Sequence, residues 1–501
     1  MKLFFLLFFL TFNIFASTLH LATSSNPSRL NPLLATDSAS GEIASHIFNS
    51  LVKFDKDSST IVGDLARKFY FEDNTTLVFE LRDDVEWHDG TRFDANDILF
   101  TYKTLLRKDL ISPYSSDFRF VKSVEVTGKY RVKVHYTQPY FKALEIWMMG
   151  IIPEHILKDE KNIMTSDFNT KPIGTGPYKL TRLEYSKDII LSANEHYFEG
   201  KAKIDKIVYH IIADATTRFL MLQSKQLDVG SLDAISFERK LDSTFSQKFA
   251  IYEKVSRSYT YLGFNLRRKK FQNPKVREAL SLAIDRQELV DILFFKHAKV
   301  CSGPFLPSSG AFNKEVKVPT QNIQHAKELL AEAGYDKNHP FEFEIATSNS
   351  NSIRPYAAQI LQYQLKKIGV VVKLRVMEWQ AFLNMVVFPH KFDTVLLGWG
   401  LSPTPDPYQF WHSDNDKMGG FNLVGYHNKE VDRLIEESQT LVDKNKLNKV
   451  FRKIFQLVVE DNPYLFLYIP NAITAINKDI KNVTTSPSGI WHNYIEWNKI
   501  E

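Results

Sequence analysis

The chain has 501 residues, so we expect two or more domains, because a single hydrophobic core rarely extends beyond about 300 residues. Its formal net charge of +5 is small for this length and no block of basic residues occurs, which argues against nucleic acid as a partner. The single cysteine, Cys301, excludes an intramolecular disulfide, and we expect it to be a buried structural thiol.

The first predicted element is a signal peptide. Lys2 precedes an apolar run, and the small residues Ala16 and Ser17 follow it. The run is shorter than the roughly 20 residues that a membrane-spanning helix needs. We therefore predict cleavage near Ala16 and an exported protein that is not embedded in a membrane. Because no cysteine follows the run to carry a lipid, the predicted location is the periplasm.

Strand signals are frequent in the N-terminal half. The segments 77–81 and 130–136 are rich in β-favouring residues and predict strands. Between them, Asp94 is placed to cap a helix. The glycines of 174–176 could suggest a phosphate-binding loop, but the third glycine of that motif is missing and 177–180 continues as a strand. We interpret 174–176 as a tight backbone turn.

Helices and strands alternate in the C-terminal half. Asn273 and Pro274 predict a helix start, and Gly334 and Gly369 predict the ends of two further helices. Strands are predicted at 341–345 and 370–376. This alternation indicates an α/β fold.

The sequence lacks the motifs of common active sites. It contains no His-Glu-x-x-His zinc helix, no Gly-x-Ser-x-Gly elbow and no phosphate loop that ends in Gly-Lys-Ser/Thr. None of its 14 histidines forms a pair at helical ligand spacing. We predict a protein that is not an enzyme and has no cofactor or metal. Histidines distant in sequence can still converge in a fold, so His412 and His492 are the alternative metal ligands.

Six short segments stand out in the mature chain. They are 30–32 (Leu-Asn-Pro), 47–51, 87–98 (which begins Trp-His-Asp-Gly-Thr), 172–178, 264–265 with 273–280, and Gly-Trp at 398–399 with Asp-Pro at 406–407. Their content and order resemble family 5 of the bacterial extracellular solute-binding proteins, the periplasmic dipeptide-, oligopeptide- and nickel-binding proteins of ABC importers. Lys225 departs from the family pattern, which usually has glycine at this turn.

The resemblance implies a two-lobed periplasmic-binding-protein fold (class II type, cluster C) with an additional domain and a ligand cleft between the lobes. Lobe I would combine 17–48, 172–262 and 470–501, the additional domain would hold 49–171, and lobe II would hold 263–469. A monomer of this kind closes around its ligand and delivers it to an inner-membrane ABC permease with its ATPase subunits.

The segment 398–407 is the first candidate for ligand contact. Its prolines and glycines predict a stiff irregular loop, and Trp399 offers a broad flat surface. In peptide-binding relatives the matching tryptophan lies in the cleft, although packing in a lobe core is the alternative. The resemblance places a partner for the peptide's amino terminus at Ser402 or Asp406, and a structural role for Asp406 is the alternative. Further candidates in this segment are Gly398 and Leu401.

Four more candidates come from the resemblance. Arg354 lies near an arginine that holds the ligand carboxylate in dipeptide binders, and an exposed arginine at a helix start is the alternative. Asn26 and Ser28 precede the first family segment at positions that approach the ligand in oligopeptide binders. Tyr114 resembles another residue of that cleft.

The predicted function is capture of short peptides. The alternative is the same fold with nickel, as a chelate or bound by histidines, or with haem or another small solute. Nickel binders that hold an organic chelate use an arginine in the first lobe, but the matching segment here, 147–150, is uncharged. A periplasmic chaperone or hydrolase is a third possibility, against which the missing motifs argue.

Overall fold

A computed structural model describes residues 17–500, so the predicted signal peptide lies outside the described residues. The strands are β1 (Thr18–Thr23), β2 (Val52–Phe54), β3 (Ile61–Gly63), β4 (Ala66–Asp73), β5 (Thr76–Leu81), β6 (Val121–Gly128), β7 (Arg131–Tyr136), β8 (Tyr178–Glu184), β9 (Asp188–Ala193), β10 (Lys206–Ile211), β11 (Val229–Leu232), β12 (Phe249–Val255), β13 (Ser258–Phe264), β14 (Ala298–Val300), β15 (Glu342–Ser348), β16 (Val371–Met377), β17 (Thr394–Gly400), β18 (Tyr464–Asn477), β19 (Ile480–Lys481) and β20 (Asn498–Lys499).

The α-helices alternate with these strands through most of the chain. They are α1 (Ser38–Ile47), α2 (Ala95–Leu105), α3 (Glu154–Leu157), α4 (Ala215–Gln223), α5 (Ala234–Lys240), α6 (Ser243–Lys248), α7 (Lys269–Gln272), α8 (Pro274–Ala283), α9 (Arg286–Phe294), α10 (Ile323–Glu332), α11 (Arg354–Lys366), α12 (Trp379–Phe382), α13 (Tyr408–Trp411), α14 (Lys429–Gln439) and α15 (Lys444–Asp461). Within residues 17–500, no helix combines the length and the apolar composition needed to cross a membrane.

The N-terminal half contains two four-stranded sheets and the β2–β3 pair. In one, β1 joins β10 in parallel, and β9 and β8 follow in antiparallel order. The other is an antiparallel sheet with the order β4, β5, β7, β6, and β5 and β7 confirm the predicted strands at 77–81 and 130–136. Helix α2 begins where predicted: the Asp94 side chain accepts from the Asn96 N–H, and the Asp97 side chain accepts from the Asp94 N–H.

The third sheet has eight strands and is held together by β18. The first half of β18 pairs with β13, and its second half pairs with β11 and β12. Strands β17, β15 and β16 extend the sheet beyond β13. The predicted lobe boundaries at 262/263 and 469/470 therefore fall inside the paired strands β13 and β18. The assignment of the three domains to these ranges stays a prediction.

The local signals of the C-terminal half are confirmed. The Asn273 side chain caps α8, in which Pro274 is the first residue. Gly334 and Gly369 follow α10 and α11 with φ of +90° and +82°, a region that glycine enters without steric cost. The predicted strands at 341–345 and 370–376 correspond to β15 and β16.

The segment 174–176 leads through a bend at 175–177 into β8, and its glycines lie against the end of α1. A Cβ at Gly174 would lie 1.9 Å from the Ile47 carbonyl oxygen, and one at Gly176 would lie 2.4 Å from the His46 carbonyl oxygen. These clashes show that close backbone approach requires glycine at both positions, although neither has a positive φ. The Gly174 N–H also bonds to His88 Nδ1 at 3.2 Å. Segments that carry the family resemblance thus pack against one another as scaffold.

Cys301 is the buried structural thiol that the sequence predicts. Its side chain is 1% exposed, and Sγ donates to the Gly303 carbonyl oxygen at 3.3 Å. Burial raises the pKa of the Cys301 thiol to about 12. Because the thiolate is the reactive form, this cysteine is inert at neutral pH.

Candidate functional site

A cavity of about 800 Å³, here called the first chamber, lies where the predicted lobes and the additional domain meet. Its walls come from the start of α1, the turn between β2 and β3, the residues Tyr114, Asp117 and Lys142, and, on the other side, α12, the end of β17 and the segment that follows β17. This volume falls within the range of small-ligand sites.

A second chamber of about 1120 Å³ adjoins the first. It lies between α1, the predicted additional domain and the C-terminal segment around Trp491 and Tyr494. The residues that line both chambers are Ala35, Gly41, Tyr114, Asp117, Lys142 and Ser402. These six residues therefore mark the boundary between the two chambers.

Trp399 forms part of an aromatic wall of the first chamber. Its ring centroid lies 4.8 Å from that of Phe410 and 5.2 Å from that of Phe421, and its Nε1 donates to the Tyr464 hydroxyl at 3.3 Å. The prediction of an irregular loop from Gly398 onward is wrong for its first three residues. They belong to β17, because their backbone pairs with β13, and the loop begins after residue 400.

Gly398 makes room for the side chain of Arg354. A Cβ at Gly398 would lie 2.5 Å from Arg354 Nη2. Arg354 is the first residue of α11 and lines the first chamber. Among residues 17–500 its guanidinium has no carboxylate partner, and its Nε is buried without a hydrogen bond. Burial lowers the pKa of Arg354, but a guanidinium stays protonated in proteins, so the chamber contains an unpaired cation.

Asp406 is held by a lysine of the predicted additional domain. Its Oδ2 accepts from Lys142 Nζ at 2.9 Å, and its Oδ1 accepts from the Tyr408 N–H at 3.0 Å. Lys142 Nζ also lies 3.5 Å from Asp117 Oδ1. Burial raises the pKa of Asp406, but the charge and hydrogen bond of Lys142, together with the Tyr408 N–H and the charge of Arg119, outweigh burial and leave that pKa below its usual value. Burial raises the pKa of Asp117, which Lys142 only partly offsets.

Other contacts also cross between the predicted domains. Thr404 Oγ1 donates to Glu145 Oε1 at 2.7 Å, which joins the loop after β17 to the additional domain. Gln380 Nε2 donates to the Asn26 carbonyl oxygen at 3.1 Å, which joins the range predicted as lobe II to the range predicted as lobe I. With the Lys142 ion pairs, these contacts hold the walls of the first chamber together.

The three candidates of the N-terminal half differ in position. Tyr114 lines both chambers, and its hydroxyl donates to a backbone carbonyl at 2.8 Å. Asn26 and Ser28 line neither of them. Asn26 Oδ1 accepts from the Ser186 N–H at 2.7 Å, and the Ser28 hydroxyl donates to the Asp37 carboxylate that caps α1. Their predicted ligand contacts stay predictions.

Leu401 and Ser402 continue the chamber wall beyond β17. The Leu401 N–H donates to the Arg257 carbonyl oxygen at 2.7 Å, which fixes the start of the loop. Leu401 lines the first chamber, whereas Ser402 lines both. The side chain of Arg257 lines the first chamber as a second guanidinium without a carboxylate partner among the described residues.

The alternative metal ligands lie in separate environments. His412 Nε2 lies 3.4 Å from a carboxylate oxygen of Glu436, and His412 lines neither chamber. His492 lines the second chamber, with Nδ1 3.0 Å from the Gly489 carbonyl oxygen and Nε2 3.0 Å from Thr484 Oγ1. Over residues 17–500, no three or more His, Cys, Asp or Glu side chains are grouped so that they could hold a metal ion.

Sequence reasoning missed Asp117 and Lys142. No motif or periodic pattern marks them, and Lys142 lies 264 residues before its partner Asp406.

Comparisons with known proteins agree with this geometry. A sequence profile described as "Bacterial extracellular solute-binding proteins, family 5 Middle" matches residues 60–420. The oligopeptide-binding protein AppA of Bacillus subtilis is 32% identical over 492 residues, which cover 94% of this chain and 89% of AppA.

Two solved structures share the whole fold. AppA from Bacillus subtilis in complex with a nonapeptide aligns with a TM-score of 0.91 at 31% identity, over 97% of this chain and 99% of that one. NikZ from Campylobacter jejuni in complex with Ni(L-His) aligns with a TM-score of 0.86 at 29% identity. The alignment covers 96% of this chain and 99% of NikZ. The predicted two-lobed α/β fold is confirmed.

Proposed function

Because the chain belongs to family 5 of the bacterial extracellular solute-binding proteins, we propose that it captures short peptides for an ABC importer. The observation that carries this proposal is the unpaired guanidinium of Arg354 in a chamber with an aromatic wall. A peptide supplies both complementary groups, since its terminal carboxylate suits a guanidinium and its side chains suit aromatic surfaces. The similarity to AppA supports the same cargo.

The ligand would lie in the first chamber with its carboxylate at Arg354. Trp399, Phe410 and Phe421 would contact its side chains without selecting a particular sequence, because flat aromatic surfaces accept many apolar groups. Gly398, Leu401, Ser402 and Tyr114 would complete the walls. Asn26, Ser28 and Asp406 would act indirectly, since their polar groups already have partners in the protein.

Transport would follow closure of the lobes. We place the hinge at β13 and β18, because these strands cross the predicted boundaries between 17–48, 172–262 and 470–501 on one side and 263–469 on the other. The closed monomer would be recognised by an inner-membrane permease with its ATPase subunits. Export to the periplasm after cleavage near Ala16 and the absence of an enzymatic activity complete the proposal.

A nickel chelate is the second candidate cargo. NikZ, a protein of similar fold, is described in complex with Ni(L-His), and the carboxylate of such a chelate would also suit Arg354. A chelate that brings its own imidazole would require few metal ligands from the protein.

Native mass spectrometry of the protein purified without unfolding separates the two cargoes. Co-purified molecules of mixed mass that fragment as peptides would support peptide capture. Stoichiometric nickel that is lost on addition of a chelator would overturn it in favour of the second candidate.

A further inference from the structure

A histidine is held between two carboxylates beside the strands at which we place the hinge. His297 lies between α9 and β14, in the range predicted as lobe II. Its Nε2 lies 2.7 Å from Glu238 Oε1, on α5, and its Nδ1 lies 2.6 Å from Glu253 Oε1, on β12. Both glutamates lie in the range predicted as lobe I. The three side chains therefore join the two predicted lobes.

Backbone contacts place this cluster at the predicted boundary within β18. The Asn471 N–H donates to the His297 carbonyl oxygen at 2.8 Å, and the Asn471 side chain donates to Glu253 Oε1 at 2.5 Å. Strand β14, which follows His297 directly, pairs with β18 at residues 468–470. Because the predicted boundary at 469/470 lies so close to Asn471, a change in lobe orientation would alter the distances from His297 to the two glutamates.

The turn that carries His297 has a strained backbone. Phe295 and Lys296 have φ of +49° and +78°, values that residues with a Cβ rarely adopt. The His297 N–H donates to the Phe294 carbonyl oxygen at 2.7 Å, and the Phe237 ring of α5 packs at a right angle to the imidazole, with ring centroids 4.9 Å apart. Such strain persists where the surrounding structure holds it, and it clusters at functional sites.

The imidazolium form of His297 suits this arrangement. An ionised carboxylate accepts hydrogen bonds but donates none, and a neutral imidazole has a single N–H. With a carboxylate oxygen at each ring nitrogen, the neutral form would place a lone pair against one of them, whereas the imidazolium donates to both. Burial lowers the pKa of His297, but the hydrogen bonds and charges of Glu238 and Glu253 outweigh burial and raise that pKa above its usual value.

Other charged groups near His297 do not replace it. Arg239, on α5, places its guanidinium 4.8 Å from the centre of the Phe295 ring, and β18 contributes an uncharged amide. A cavity of about 260 Å³ that His297 lines is also lined by three charged residues, Arg218, Asp233 and Arg354. Over residues 17–500, neither Glu238 nor Glu253 has a second ion-pair partner. Deprotonation of His297 would therefore leave both carboxylates without a paired cation.

We infer that His297 is a pH-dependent clasp of the hinge: its imidazolium, held by Glu238 and Glu253, stabilises the lobe orientation in which the walls of the first chamber are joined, and its deprotonation favours opening. This inference rests on the proposed function, of which the hinge is a part. A histidine has an unfolded-state pKa of about 6.5, so the stabilisation is complete below that pH and is lost as pH rises through the higher folded-state pKa. Ligand would be held more tightly in mildly acidic than in alkaline solution.

Calorimetry of ligand-free protein with the tripeptide Ala-Phe-Ala at pH 6.0 and pH 9.0 tests the inference. His297→Gln removes the charge, and the matched control is His325→Gln, because His325 pairs at 3.3 Å with Glu328 within α10. The amino group of the peptide also titrates in this range, so the quantity compared is the fold-change in Kd of each protein. We expect this fold-change to be about threefold larger for the wild type and His325→Gln than for His297→Gln, as for the loss of a partly exposed ion pair.

Small-angle X-ray scattering of the ligand-free proteins tests the clasp without a peptide. The radius of gyration of the wild type should rise between pH 6.0 and pH 9.0, because the lobes open as His297 loses its proton. The radius of gyration of His297→Gln should not depend on pH in this range. Should His297→Gln not fold, as judged by circular dichroism, Glu238→Gln replaces it and should reduce both pH effects.

The possible failures are distinguishable. Equal fold-changes in Kd for the wild type and His297→Gln would overturn the clasp and leave peptide capture standing. If His297→Gln alters the free energy of unfolding in urea but neither the fold-change in Kd nor the radius of gyration, His297 is only a structural residue and the inference fails. If the tripeptide binds at neither pH, peptide capture fails, and the scattering measurement alone decides on the clasp.

Discussion

The substitution Lys142→Met should destabilise the protein strongly and in a pH-dependent way. The change removes the cation between Asp117 and Asp406, whose side chains are 13% and 8% exposed, and leaves two nearby carboxylates buried. Breaking a buried ion pair costs about 3–5 kcal/mol. Asp117 keeps its hydrogen bond from Gln409, and Asp406 keeps its hydrogen bond from the Tyr408 N–H. We therefore expect the free energy of unfolding to fall by about 3 kcal/mol at neutral pH.

The sign of the pH dependence follows from the carboxyl groups. In the wild type, Lys142 holds the pKa of Asp406 below its usual value, so this group stabilises the fold above the unfolded pKa, and the contribution is lost as pH falls through the folded pKa. Without Lys142, burial would raise the pKa values of both Asp406 and Asp117. The variant should then lose stability as pH rises, and its deficit should be larger at pH 7.5 than at pH 4.5.

Urea denaturation of the wild type and of Lys142→Met at pH 4.5 and pH 7.5 measures this loss in the free energy of unfolding. The matched control is Lys275→Met, because Lys275 pairs with Glu332 at 2.7 Å on the surface, with side chains 51% and 55% exposed. Such an exposed ion pair contributes at most about 1 kcal/mol to the free energy of unfolding. The reasoning would be refuted if Lys142→Met and Lys275→Met lost the same free energy of unfolding, or if the loss in Lys142→Met did not depend on pH.

Three further predictions concern the chamber and the core. Trp399→Ala should weaken binding of Ala-Phe-Ala by about 1–3 kcal/mol in calorimetry with an unchanged circular dichroism spectrum, and an unchanged affinity would remove Trp399 from the site. Arg354→Gln should weaken binding of the free tripeptide about tenfold or more but have little effect on its C-terminal amide, whereas equal losses would contradict carboxylate recognition. Cys301, whose pKa burial raises to about 12, should react with a disulfide reagent only after unfolding in urea, and prompt reaction of the folded protein would contradict its burial.

Local signals predicted individual elements well. The cap at Asp94, the helix start at Asn273 and Pro274, and the helix ends at Gly334 and Gly369 depend on backbone geometry within a few residues, which the sequence specifies directly. The contacts that require glycine at 174 and 176 could not be predicted, because they are made with Ile47 and His46, more than 120 residues away in the chain.

The candidate site was predictable only in part. Trp399, Arg354 and Tyr114 line the first chamber, as the resemblance suggested, whereas Asn26 and Ser28 do not. A family pattern identifies segments that approach the cleft, but it does not say which side chains turn into the chamber and which are already bonded to the protein.

By itself, the sequence determined the α/β class, the family and most local elements, because capping, periodicity and short family segments are properties of neighbouring residues. Only the tertiary structure decided which residues line the chambers and that Lys142 forms an ion pair with Asp406. It also decided that Lys142 lies 3.5 Å from Asp117 Oδ1. These features depend on side chains that lie hundreds of residues apart in sequence, and the chain order does not specify how two such side chains meet in a buried space.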